Sequence, residues 1–198
     1  INSYLAQFDV WDRNDFDHDG NYDEADGYID HFQAVHAGEG EEAGGGAQGA
    51  DAIWSHRWYV NPTDYGLTGP TVAGQENKAG GARIGNSNYW LGDYTTEPEN
   101  GGLGVFAHEF GHDLGLPDFY DTAGGENGTA FWTLMSSGSW LSHGAEANEG
   151  ICTTPGLMGP EGKLFLGWLD YREISLGESG TVLLDPAQDA NSANAQAI

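Results

Sequence analysis

The sequence predicts an α+β domain: a twisted mixed sheet, one helix that carries the chemistry, and an irregular C-terminal part. Three observations predict it. Short strand-like segments recur before residue 95. The stretch Ala107–Asp118 has polar residues at helical spacing. Thirty-two glycines imply many turns between few regular elements. A chain of 198 residues suffices for one domain with a sizeable core. We expect an N-terminal subdomain, 1–115, that ends in the helix, and a C-terminal subdomain, 116–198. No signal peptide or initiating methionine opens the sequence. Ile1 reads as an internal start, so the chain is expected to be a piece of a longer precursor.

Taken in order, residues 1–12 fit either a short helix or an entry strand. Tyr28–Ala37 alternates as a strand does, and Ala52–Val60 reads as a second strand. His31 and His36 on the first are expected to be packed or hydrogen-bonded sheet residues rather than ligands. The acidic, Gly-rich run 38–51 is a surface loop. A hairpin-like excursion follows through Asn61-Pro62 and Gly69-Pro70. Arg83–Tyr94 reads as a third strand, and its Gly and Asn content suggests a sheet edge able to accept an extended peptide. Thr95–Gly102 is expected to be a turn around Pro98 that opens the helix Gly102–Leu114. Residues 131–140 form an apolar run closed by a tight turn. Residues 158–169 suggest a second helix with Pro160 in its first turn. Arg172–Ile174 and Thr181–Leu184 suggest a short hairpin. Gln188–Ile198 is either a frayed tail or the start of a linker.

Six basic against 31 acidic residues give a formal charge of −25. Nucleic acid and anionic membrane surfaces both demand basic patches, so neither is an expected partner. No apolar run approaches the ~20 residues of a membrane span. Cys152 is the one cysteine. It cannot close a disulfide within the chain, rules out a Cys-built zinc site, and fits a small buried residue better than a nucleophile.

The acidic residues are clustered. Asp15-Phe-Asp17-His-Asp19-Gly-Asn21-Tyr-Asp23-Glu-Ala-Asp26 is a D-x-D-x-D-G run with a carboxylate at its twelfth position. Hard cations take six to eight oxygens, and closely spaced Asp around a Gly turn supply them. The expected calcium ligands are Asp15, Asp17, Asp19, the carbonyl of Asn21, Asp23 and Asp26. Asp26 stands where a bidentate Glu is usual.

The other constellation is His108-Glu109-Phe-Gly-His112-Asp-Leu-Gly115-Leu-Pro117-Asp118. Residues four apart on a helix share a face, so His108 and His112 can point at one metal ion. Glu109 lies beside that face, within reach of a metal-bound water. Gly115 can take positive φ and turn the chain back, and Pro117 cannot continue the helix. Asp118 then arrives as a third ligand, with Asp121 and Glu126 as the nearest substitutes. Two His, one carboxylate and an open position describe a catalytic rather than a structural zinc site.

With these residues laid out, the chain resembles metzincin-type zinc metallopeptidases. More narrowly it resembles the immune inhibitor A family of secreted bacterial proteases, peptidase family M6. The resemblance rests on residues 19–33, 52–58, 108–121 and Leu134–Trp140, and spans roughly residues 15–170. It implies a metzincin-like fold and zinc on His108, His112 and Asp118, with Glu109 as general base. Met135 would lie in the turn beneath the metal, and calcium would add stability. It also implies an extracellular endopeptidase, a virulence-factor role, protein or peptide substrates, and control by a propeptide. Many metzincins have His as third ligand where this chain has Asp118. A Tyr two residues after Met135 is missing, so the group that stabilises the oxyanion is open among Tyr120, Trp140 and His143. A rival reading is a non-catalytic, calcium-loaded binding module with structural zinc. Zinc hydrolysis of a non-peptide substrate is a third.

Overall fold

The computed structural model describes residues 1–142 and 150–198. Its elements are α1 (Asn2–Leu5), β1 (Gln33–His36), β2 (His56–Tyr59), β3 (Thr71–Val72), β4 (Gln75–Glu76), β5 (Ala82–Arg83), β6 (Trp90–Leu91), β7 (Asp93–Pro98), α2 (Leu103–Asp113) and α3 (Pro160–Phe165). The architecture is therefore mixed, with small sheets and few helices. The main sheet has the order β1-β7-β2, with β7 parallel to β1 and antiparallel to β2. Two hairpin ladders, β3-β4 and β5-β6, stand beside it.

Several expectations change here. Residues 1–12 begin as helix, continuing into a 3₁₀ turn over Ala6–Phe8. The two first strands form but are shorter than the alternation suggests. Arg83–Tyr94 is not one edge strand: it contains the β5-β6 hairpin and the start of β7. Thr95–Pro98 is not a turn but the rest of the central strand. Its Thr-Thr-Glu-Pro sequence looks too polar for a sheet centre, yet all four residues are buried. Pro98 is tolerated because it ends the strand, opposite His36. The free edge beside α2 accordingly belongs to β2. The hairpin expected at 172–174 and 181–184 does not form. Tyr171 instead bridges to Ala197, and Gln196 N–H donates to the Asp170 carbonyl at 2.7 Å, which ties the tail down.

Helix α2 ends where its sequence says it must. Gly115 has φ +96°. Leu116 N–H donates to the Gly111 carbonyl at 3.0 Å and Gly115 N–H to the His112 carbonyl at 2.9 Å. These are the two bonds of a Schellman cap, which only a residue free to enter left-handed space closes without strain. Leu116 is thereby pushed into the core with Leu134 and Met135, where Ala107, Phe119, Met158 and Leu166 pack around it.

The helix also approaches its neighbours closely. Gly111 leaves room for Met135, since a Cβ there would overlap the Met135 sulfur. Gly104 lies against the Ser139 carbonyl. At the other end Asp113 places a negative charge at a helix C-terminus, where the dipole disfavours it. His31 Nδ1 bonds this carboxylate and Arg13 reaches it at 3.5 Å. Arg13 also bonds Asp93 on β7 at 2.8 Å and stacks on Trp11. Asp113 thus offsets its own cost by joining α2 to the N-terminal segment and the sheet.

Gly104→Ala forces its new methyl against backbone that cannot move aside. It should lower stability by about 2 kcal/mol or more, seen as a thermal midpoint lower by roughly 4–8 °C. Gly128, around which a Cβ meets nothing within 4 Å, is the control. Gly128→Ala should stay within about 0.5 kcal/mol.

Candidate metal centre

One face of α2 presents His108 and His112 to the same point. Their Nε2 atoms are 3.1 Å apart. Asp118 Oδ1 lies 3.2 Å from each. Ligands bonded at 2.0–2.1 Å in a tetrahedral shell are roughly 3.3 Å apart, so this triangle has the size of a zinc site. The tautomers agree. His108 Nδ1 donates to the Leu134 carbonyl at 2.9 Å and His112 Nδ1 to the Leu116 carbonyl at 2.8 Å. A carbonyl only accepts, so both Nδ1 atoms carry the proton and both neutral rings turn an Nε2 lone pair inward. Two lone pairs and a buried carboxylate oxygen face one another with no proton between them. Asp118 Oδ1 has no other hydrogen-bond partner among the described residues. Such a group calls for a cation.

The sequence motif names the ligands but not the two carbonyls that aim them. Leu116 is supplied by the Schellman cap, one residue beyond Gly115. Leu134 precedes Met135, which is fully buried against Gly111 and accepts Phe119 N–H at 2.7 Å. That bond draws in the segment that carries Asp118. When the site holds no ion, the electrostatics lean the same way. Against burial, Asp118 raises the His112 pKa. Also against burial, both histidines hold the Asp118 carboxyl well below the usual range.

Glu109 is 6 % exposed and its Oε2 has no hydrogen-bond partner among the described residues. Burial raises its pKa, while the neighbouring histidines lower it. It faces a cavity of about 300 Å³, shared with His108, His112 and Asp118 and walled by Trp54, His56, Trp58, Tyr120 and Trp140. Burial and the Asp118 charge push the Tyr120 phenol up to about 12. Tyr120 and Trp140 thus stand at the cavity, while His143 lies outside the described residues. Asp121 and Glu126 do not join the ligand group; Asp121 caps its own loop, accepting Ala123 N–H at 2.9 Å. Glu97, which the sequence gave no reason to single out, is fully buried on β7, and burial brings its carboxyl to about 7.

The acidic loop is arranged differently from its linear pattern. Asp15, Asp17 and Asp19 bring carboxylate oxygens together, and Asp17 also groups with Asp12 and Glu24. Asp12 and Glu24 lie outside the six ligands read from spacing. Asn21 accepts Asp23 N–H and donates to Glu24. Asp26 is turned away from both groups. It is buried, accepts Tyr28 N–H at 2.8 Å and contacts Asn77, while Asp9 caps its backbone N–H at 2.9 Å.

Two histidines and an aspartate converge under an open cavity, with a buried glutamate beside them, an arrangement able to hold a metal ion. The chain belongs to the immune inhibitor A peptidase M6 family: residues 1–157 match its catalytic domain. Immune inhibitor A of Bacillus thuringiensis subsp. alesti is 41% identical over 199 residues, which cover 91% of this chain and 26% of that protein. Pre-pro-metalloprotease PrtV of Vibrio cholerae serotype O1 is 40% identical over 185 residues, covering 89% of this chain and 19% of that protein. The chain spans about a quarter and a fifth of the length of these relatives.

Burial raises Asp9 to about 6 and Asp26 to about 7, from an ordinary 3.8. The folded chain therefore keeps protons that the unfolded chain has released. Stability from these groups is fully present below the ordinary aspartate value and is lost as pH rises through about 6 and 7. In the metal-free chain the thermal midpoint should fall between pH 5 and 8, and Asp26→Asn should flatten that fall. Parallel pH curves for the two proteins would contradict the assignment.

Proposed function

We propose that the chain is the catalytic domain of a zinc-dependent endopeptidase that hydrolyses peptide bonds of extracellular proteins. The observation that carries this is the triangle of His108 Nε2, His112 Nε2 and Asp118 Oδ1 beside the buried Glu109. The M6 match supports it, as does the printed name of the Vibrio relative, which calls that protein a metalloprotease. The Gly115 turn and the buried Met135 under the site support a metzincin-like architecture. The prefix of the same relative's name supports control by a propeptide, and with it a secreted protein.

His108, His112 and Asp118 would hold the zinc. Bound there, zinc supplies Lewis acidity that polarises a peptide carbonyl and makes a water a better nucleophile. Glu109 acts on that water. Its carboxylate takes a proton while the water oxygen adds to the carbonyl carbon. It then delivers the proton to the amide nitrogen as the C–N bond breaks. Burial suits Glu109 to this exchange, since a raised pKa makes it a better base and a willing donor. The free edge of β2, not the β5-β6 region, is the sheet edge that borders this cavity and is placed to align an extended substrate.

The Asp15–Asp19 cluster, joined by Asp12 and Glu24, is read as a calcium site that stabilises the N-terminal segment. The rival reading, a binding module with structural zinc, gives no role to a buried carboxylate beside an open metal position.

Glu109→Gln should keep one zinc per chain and lose peptide hydrolysis by about 10³-fold or more. His112→Ala should lose the zinc itself. A Glu109→Gln protein with undiminished casein degradation would rule out the mechanism. Removing calcium with a calcium-selective chelator should lower the thermal midpoint and speed autolysis. An unchanged midpoint would remove calcium from the account.

A further inference from the structure

The carbonyl oxygen of a peptide gains negative charge as water adds to its carbon. Around it this cavity places Glu42, Glu109 and Asp118, which are acidic. Apart from the metal ligands, two described residues of the lining carry a basic group, His56 and Arg57. Neighbours on a strand point to opposite faces. Arg57 is committed to Asp93, with Nε at 3.2 Å. His56 is not committed in this way. Its Nδ1 lies 2.7 Å from the Trp54 carbonyl, so Nδ1 carries a proton and the ring is fixed at that end. Its Nε2 has the Tyr94 hydroxyl at 3.2 Å, long for a bond of this kind, with the two rings edge to face. Tyr94 therefore steadies the imidazole, and a substrate carbonyl oxygen that accepts from Nε2–H takes the place of this bond. His56 is also close enough to Glu109 to favour the ionised carboxylate.

We propose that His56, in its imidazolium form, is a catalytic residue, whose Nε2–H hydrogen-bonds the carbonyl oxygen of the scissile peptide as that oxygen takes up charge. The proposal rests on the peptidase reading above. It assigns the stabilising role to a histidine on β2, across the cavity from α2, rather than to Tyr120 or Trp140. No bond to His56 forms or breaks. Water adds to the carbonyl carbon, its proton travels by Glu109 to the leaving nitrogen, and His56 keeps its own. The charged and titratable groups around the ring are Tyr94 on β7, Glu109 on α2, and Glu42, which is bonded to Ser55.

The test compares the zinc-loaded 198-residue chain with His56→Gln and Tyr94→Phe. It reads kcat and KM on quenched peptides, zinc content and thermal midpoint. It also reads the affinity of a phosphinic peptide, which presents a tetrahedral anion, and of an uncleaved peptide in a Glu109→Gln background. His56→Gln should lower kcat by about 10²–10³-fold. KM should stay within ~3-fold. Phosphinic-peptide affinity should fall in the same proportion as kcat, with the uncleaved peptide unaffected. Tyr94→Phe should follow in the same direction and less strongly. A kcat within ~3-fold of the parent, or equal losses for both ligands, would overturn the proposal. If His56→Gln loses zinc or stability, ¹⁵N-histidine spectra of the unmutated chain decide. With the phosphinic peptide bound, the His56 Nε2 signal should be that of a protonated nitrogen shifted by a new hydrogen bond, and a signal the peptide leaves unmoved overturns the role. An unmutated, zinc-loaded chain that cleaves no peptide overturns the peptidase reading itself, and His56 with it.

Discussion

Two hydrogen bonds hold the arrangement together: His108 Nδ1 to the Leu134 carbonyl and His112 Nδ1 to the Leu116 carbonyl. Without them each imidazole is free to rotate and to present a proton instead of a lone pair. Each bond depends on a different piece of fold. Leu116 is in place because Gly115 lets the helix close its last turn and reverse. Leu134 is in place because Met135 fits against Gly111, a packing that a side chain at 111 would forbid. The core of Leu116, Leu134 and Met135 is thus continuous with the backbone that aims the histidines. Stability and chemistry share the same few contacts, which is why a small core suffices to set the site.

How far this was legible varies with the kind of signal. Helix α2 was readable almost to the residue, because its caps, its periodicity and its paired histidines agree. The position of Asp118 followed from Gly115 and Pro117. The central strand was not readable. Thr95-Thr96-Glu97-Pro98 lacks the apolar run expected of a sheet centre and ends in a residue that suggests a turn. Burial of Glu97 between sheet and helix is a tertiary event with no local signature. The C-terminal hairpin failed for the opposite reason. The short segments 172–174 and 181–184 look like strands, but they find no partner strand. Carbonyl acceptors are also invisible in a sequence, since every residue has one, so the bonds that aim the ligands emerge only from the fold.

The acidic composition is divided between several environments. Asp113 is joined to His31 and Arg13, and Asp93 to Arg13 and Arg57, so two of the six Lys and Arg residues lie where the sheet meets the helix. Asp12, Asp15, Asp17, Asp19 and Glu24 are left to one another. Reading D-x-D-x-D-G found the loop, but spacing alone could not show that the chain folds Asp26 back onto Asp9 and Asn77 while drawing Asp12 and Glu24 in. With a formal charge of −25, crowding acids without basic partners is costly unless a cation is shared among them.

X-ray absorption at the zinc edge on the zinc-loaded chain tests the central claim most directly. The account predicts one ion with two imidazole nitrogens and one or two oxygens at about 2.0–2.2 Å, and no zinc bound at this site in His112→Ala. A sulfur neighbour, a shell of six oxygens, or a spectrum unchanged by that substitution would place the metal elsewhere and contradict it.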